Sequence, residues 1–137
     1  MSKIQLNITP LARATQRLDE GLTRYLQDTR DDQIRDGLIQ RFEFTYELSH
    51  KLLKRYLALV SASPEQYDRM PFADLIRSGN KQGLLLSDWT TWREYREMRN
   101  KASHTYKEEV ALEVVEKIPA FLKETQYLEQ QLKDRSA

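Results

Sequence analysis

Residues 32–60 read DQIRDGLIQRFEFTYELSHKLLKRYLALV, and this stretch decides the fold. Ile34, Leu38, Ile39, Phe42, Tyr46, Leu52, Leu53, Tyr56, Leu57 and Val60 recur at helical spacing rather than alternating as a strand would. Phe44 and Leu48 widen the apolar arc. An arc that broad predicts contact on more than one side, as for a central bundle helix or one that also serves self-association.

Working outward, the segment before it carries Leu11, Ala14, Leu18, Leu22 and Tyr25 at the same period, opened by a Thr9 cap and Pro10. Charged residues from Asp28 to Asp32 mark the intervening turn. Downstream, residues 61–69 read as a loop holding Pro64. Pro71 opens a short helix over 72–77, closed by Gly79, with Gly83 in the next turn. Ser87 caps a helix running to about Lys101. A last helix spans 107–132, with Val110, Val114, Ile118, Phe121, Leu122, Leu128 and Leu132 facing the bundle and a kink or break at Pro119. The expectation is all-α: an up-and-down four-helix bundle with an additional short helix, residues 1–137 forming one domain.

Composition agrees. Four glycines and four prolines are few for a turn-rich β-protein, and 31% charged residues suit helices with solvated outer faces. Lysine and arginine number 22 against 21 acidic residues, so no global field draws nucleic acid or an anionic membrane, and any basic site must be local. The chain has no cysteine, which removes disulfides, thiolate nucleophiles and cysteine metal sites, and only two histidines, His50 and His104. No metal or cofactor is expected. The start, Met1 to Leu6, lacks the apolar run of a signal peptide and no stretch is apolar enough to span a membrane, so the expected location is the cytoplasm. Phosphate-binding glycine loops, H-E-x-x-H and G-x-S-x-G are absent, as is the Gly-Ser followed by Asp-x-Asp of a nucleotidyltransferase. The chain is not that catalytic subunit.

One constellation stands out in residues 89–106, WTTWREYREMRNKASHTY. Seven residues make nearly two helical turns, so Arg99 falls almost in line with Trp92, flanked by Arg96 and Ser103. His104 projects away from Arg99 unless the helix ends near Ser103 and the chain turns, or unless a second copy across a two-fold axis supplies it. Between Arg93 and Lys107 lie five basic and two acidic residues, a locally positive stretch in which Arg96, Lys101 and Trp92 are candidate substrate contacts. Arginine with histidine is enough to cut RNA without a metal: the imidazole moves the proton of the ribose 2′-hydroxyl, and the guanidinium stabilises charge on the phosphate. Spacing alone favours a plainer alternative, a helix C-terminus where His104 caps carbonyls and Arg99 makes an interhelix pair.

The run Arg99-Asn100-Lys101-Ala102-Ser103-His104-Thr105-Tyr106 resembles the R-x4-H-x-Y motif of the HEPN superfamily, small helical bundles that include metal-independent ribonucleases. Residues 39–57 resemble the long second helix of one branch, the companion of a separate minimal nucleotidyltransferase, and residues 72–85 and Ile118 to Leu122 fit that branch too. The resemblance implies one of two roles. The chain is a toxin ribonuclease neutralised by AMP transfer from its cognate nucleotidyltransferase to the motif tyrosine, or a non-catalytic substrate-binding subunit of a two-chain nucleotidyltransferase. It also implies a homodimer with the motif at the interface, Arg99 and His104 as catalytic pair, Asn100 as supporting residue and Tyr106 as the modified one. A third reading is a structural interaction module in which the motif is vestigial; joint retention of all four favours the ribonuclease, because a decayed site should have lost one.

Other residues have simpler readings. His50 stands where the resemblance implies a tryptophan or another apolar residue, and is expected to make a local hydrogen bond rather than contact RNA or a phosphate. Tyr106 could merely cover the start of the last helix. Glu47 is expected to pair with Lys51 on the helix surface, and Phe42, Phe44, Tyr46 and Tyr56 to pack in the core or a dimer face.

Overall fold

A computed structural model describes residues 5–136; the reading of the extreme N-terminus as lacking a leader falls largely outside them. Five α-helices follow in order: α1 (Thr9–Gln27), α2 (Asp32–Val60), α3 (Phe72–Lys81), α4 (Trp89–Lys101) and α5 (Glu108–Arg135). Short 3-10 turns occupy Pro64–Tyr67, within the expected loop, and Ala102–His104. Four main helices and one short one form the expected helical bundle.

α2 is the central element, packed along α1 on one side and α5 on the other, while α4 leans on α5 and α3. Leu11, Leu18, Leu38, Phe42, Leu53, Leu57, Ile76, Trp92, Ile118 and Phe121 are all less than 2% exposed. Each such side chain contributes about 1.5–3 kcal/mol through removal from water. Aromatic rings from three helices meet edge to face at the centre: Phe121 lies 4.9 Å from Phe42, 5.2 Å from Tyr95 and 6.0 Å from Trp92.

The helix ends differ from expectation in ways the side-chain chemistry explains. α1 begins with Ile8 at its cap, and the side chain of Asn7, not Thr9, accepts a hydrogen bond from the Thr9 N–H at 3.1 Å. α3 runs past Gly79 to Lys81; Gly79 is buried and lies so close to α2 that an added Cβ would come within 3.0 Å of Leu53. The terminating glycine is Gly83, with φ of +77°: its N–H bonds to the Asn80 carbonyl and the Leu84 N–H to the Gly79 carbonyl, the paired closure that a left-handed residue after a helix permits. Asp88 rather than Ser87 caps α4, its carboxylate accepting from the Thr90 N–H at 3.1 Å.

α5 runs through Pro119 without a break in its assignment. Pro119 is on the solvent face, where the carbonyl it leaves unpaired can meet water, while Ile118, Phe121 and Leu122 anchor both flanks in the core.

Two buried polar groups fix the frame around α4. Glu124 of α5 is fully buried, and its Oε2 accepts from the Leu86 N–H at 2.7 Å and the Ser87 N–H at 3.3 Å, holding the loop that leads into α4. At the other end, the Arg35 side chain is 9% exposed and donates to Glu108 at 2.9 Å, joining the start of α2 to the start of α5 directly after Tyr106.

Candidate functional site

α4 ends at Lys101, and Ala102, 5% exposed, anchors the 3-10 turn that follows. The helix thus stops where the sequence allowed it to stop, and the chain turns: the Lys107 N–H bonds to the His104 carbonyl at 3.2 Å, and the Ser103 hydroxyl donates to the Asn100 carbonyl at 3.1 Å. His104 and Tyr106 both face solvent on this turn, Tyr106 being 78% exposed, with ring centroids 6.0 Å apart and nearly perpendicular. A tyrosine so open covers no helix; its hydroxyl is presented outward.

One turn earlier, Arg99 reaches across to α2, and its Nε–H donates to Glu47 Oε1 at 2.8 Å. Glu47 therefore serves Arg99 rather than Lys51. This bond uses one edge of the guanidinium and leaves Nη hydrogens to donate elsewhere. The pair borders a pocket of about 210 Å³ lined by Tyr46, Glu47, His50, Phe72, Arg96, Arg99 and Asn100. A larger groove of about 550 Å³ adjoins it along α2, between Phe44, Leu48, Lys51 and Lys54, with Glu47 and His50 common to both.

The pocket gathers three of the expected site residues: Arg99, Asn100 and Arg96. Arg96 lies with its guanidinium carbon 5.2 Å from the centroid of the Phe72 ring. His104 is not among the lining residues, and among the described residues no hydrogen bond or ion pair joins it to Arg99. Within one chain the two motif residues sit on neighbouring but separate surfaces.

Trp92 corrects the reading of the aromatic stretch. It is 1% exposed, packed 5.3 Å from Tyr95 and 6.4 Å from Phe72, so it is a core residue and presents no face on which a base could stack. Tyr95 is likewise buried, and burial pushes its hydroxyl up to about 12, as it does that of Tyr46. Lys101 is drawn to Glu113 of α5, an ion pair that ties α4 to α5 instead of pointing into the pocket. Phe42, Tyr46 and Tyr56 are core as expected, whereas Phe44 is 58% exposed.

His50 differs from expectation as well. Among the described residues its ring makes no local hydrogen bond; it packs edge-on against Phe72 at 4.7 Å, half-buried at the junction of the two depressions. Burial, with Lys54 and Arg96 nearby, holds its pKa below the ordinary histidine value, against the opposing pull of Glu47. The three-residue spacing of Glu47 and His50 puts them on one face of α2 and could have linked them; their partners Arg99 and Phe72 lie too far along the chain for spacing to show. No group of three or more His, Asp or Glu side chains suited to a metal ion occurs among the described residues. No helix among them is long and apolar enough to cross a membrane.

This bundle, with its Arg99 pocket beside an exposed histidine–tyrosine turn, belongs to a recognised class. Residues 6–134 match the family described as nucleotidyltransferase substrate binding protein like, and the chain is a member of it, in the HEPN branch that accompanies a nucleotidyltransferase. A Haemophilus influenzae protein named probable ribonuclease HepT is 41% identical over 100 residues, which span 73% of this chain and 68% of that one. A solved structure from Haemophilus influenzae, described as revealing the fold of a substrate binding domain of a nucleotidyltransferase, superposes with a TM-score of 0.86 at 34% identity, covering 93% of this chain and 99% of its own.

Proposed function

We propose that this protein is a metal-independent endoribonuclease, the toxin of a toxin–antitoxin pair, and that its cognate nucleotidyltransferase neutralises it by transferring AMP to Tyr106. The observation that carries the reading is the placement of Arg99: a guanidinium oriented by Glu47 at 2.8 Å, edging a pocket, one short turn before an exposed histidine and tyrosine. The naming of a relative as a probable ribonuclease supports it.

In this reading two copies pair about a two-fold axis, so that His104 of one faces Arg99 of the other. His104 accepts the proton of a ribose 2′-hydroxyl, the resulting oxygen attacks the adjacent phosphorus, and the P–O5′ bond breaks. The departing 5′-oxygen takes up a proton, leaving a 2′,3′-cyclic phosphate and a 5′-hydroxyl. Arg99 donates to the non-bridging oxygens as charge builds there, and Asn100 supports them from the pocket edge. AMP transfer forms a bond from the Tyr106 oxygen to the α-phosphorus of ATP and releases pyrophosphate, placing a bulky anion beside His104.

The purified protein should cut single-stranded RNA in the presence of a chelator, with 5′-hydroxyl products. His104→Ala and Arg99→Ala should each lose cleavage by at least about a hundredfold, as expected when a general acid–base or a charge-stabilising group is removed. Unchanged cleavage by His104→Ala would overturn the mechanism.

A second reading is favoured by the solved relative described as a nucleotidyltransferase substrate-binding domain. Here the chain presents a substrate to a partner enzyme and cuts nothing. A pure protein free of RNA cleavage, yet forming a complex with the nucleotidyltransferase that changes the latter's substrate affinity, would select it.

A further inference from the structure

The pocket beside Arg99 contains more than the motif requires. His50 of α2 and Arg96 of α4 both line it and both pack against Phe72 of α3: the His50 ring centroid stands 4.7 Å from that of Phe72 and the Arg96 guanidinium carbon 5.2 Å from it. Three helices therefore converge to hold two nitrogen donors at the mouth of one cavity. Among the described residues Arg96 forms no ion pair, whereas Arg99, Lys101 and Lys117 each have a carboxylate partner. An arginine one turn from Arg99, seated over an aromatic ring and left without an anion, is poised for one supplied from outside.

The lining chemistry selects the ligand class. Arg96, Arg99, Asn100 and His50 all offer donors, and the only carboxylate, Glu47, is already engaged by Arg99. Within the pocket neither the Phe72 ring, covered by Arg96, nor the buried Tyr46 offers an open face for a base to stack on. A volume of about 210 Å³ is the space of roughly seven waters, enough for a phosphate group with part of its sugar.

We propose that His50 and Arg96 form a phosphodiester-binding subsite beside Arg99, holding a backbone phosphate of single-stranded RNA next to the one that is cut. The ligand class rests on the ribonuclease reading above. Half-burial of His50 keeps its imidazole neutral near pH 7, where it donates one N–H to a phosphate oxygen, and an approaching anion draws it toward the protonated form. The groups facing it are Glu47, Lys54 and Arg96, with Lys51 and Arg99 on the walls of the two depressions it joins.

Binding can be read without cleavage by using a short fluorescein-labelled 2′-O-methyl oligonucleotide, which lacks the attacking hydroxyl. Fluorescence anisotropy across a salt series should show Arg96→Gln binding roughly tenfold more weakly, the loss of one hydrogen bond between charged groups. Its slope of log affinity against log salt should be shallower by about 0.7, the value for one single-strand phosphate. His50→Leu should weaken binding severalfold and His50→Gln, which keeps a donor, should recover most of it. With only two histidines in the chain, the His50 ring protons are readily assigned by NMR, and their titration should move to higher pH when the oligonucleotide is added.

Unchanged affinity and salt slope in folded Arg96→Gln and His50→Leu, an unmoved His50 titration, or no binding by the wild type would each overturn the subsite. Cleavage of unmodified RNA is scored separately with His104→Ala. Binding that depends on His50 and Arg96 in a protein that never cuts would retain the subsite and reject the nuclease, while cutting with no dependence on either residue would do the reverse.

Discussion

Glu47 Oε1 accepts the Nε–H of Arg99 at 2.8 Å, a bond between residues 52 apart in the chain that ties the middle of α2 to the end of α4. Both side chains are partly open, 56% and 33% exposed, so the pair contributes at most about 1 kcal/mol to stability. Its effect is one of aim: it fixes the plane of the guanidinium at the pocket edge.

Glu47→Gln should therefore change the denaturation midpoint very little but lower RNA cleavage by about tenfold, since a neutral amide orients the guanidinium less firmly. Urea unfolding measured alongside steady-state kinetics tests this. A large loss of stability with unchanged turnover would show that Glu47 serves the fold instead.

His50 makes stability depend on pH in a defined direction. Its folded pKa lies below the unfolded value of about 6.5, chiefly through burial. Above both values the ring is neutral in either state and contributes nothing. As pH falls through the unfolded value, the unfolded chain takes up the proton first and the fold loses stability. Between pH 7 and 5 the wild type should lose more stability than His50→Leu, as read from urea midpoints of the two proteins at each pH.

Glu124 is the most demanding polar residue of the core, fully buried with two backbone N–H groups on one oxygen and, among the described residues, no partner for Oε1. Glu124→Ala removes the acceptor from the Leu86 and Ser87 amides and opens a cavity, and should cost about 2–4 kcal/mol. Glu124→Gln retains an acceptor and should cost less. Thermal unfolding ranks the three proteins; equal midpoints would refute the role of the carboxylate in holding the loop ahead of α4.

Gly37 sits on the exposed side of α2, and a Cβ there would meet nothing within 4 Å. Gly37→Ala should stabilise the protein by about 0.5–1 kcal/mol, the propensity difference for an open helical position. Denaturant unfolding measures it directly.

The helices were legible because their apolar residues keep one period over many turns. The ends were less so. Ser87 and Asp88 are both good caps, and only the path of the loop chooses between them. Gly79 looked like a terminator, yet a glycine also allows two helices to approach closely, and the need for that is invisible until Leu53 is in place. Pro119 looked like a breakpoint because sequence does not tell which face of the helix the ring occupies.

The site divides in the same way. Arg99, Asn100, His104 and Tyr106 are contiguous enough for a motif to gather, and the turn after Lys101 is a local event. Trp92 is ambiguous in the sequence because a tryptophan among arginines fits a stacking platform as well as a core. Its near alignment with Arg99 did not settle the matter, since a long arginine can start beside buried rings and carry its charge out to Glu47. The Glu47–Arg99 and His50–Phe72 contacts join separate helices, so no local spacing could reveal them.

The short turn from Ala102 to Lys107 keeps His104 and Tyr106 side by side, with ring centroids 6.0 Å apart and no helix between them. Anything attached to the phenol would shade the imidazole directly. A group placed there would act by occupancy, with no relay through the bundle, and its effect would persist in variants whose interior had been extensively redesigned.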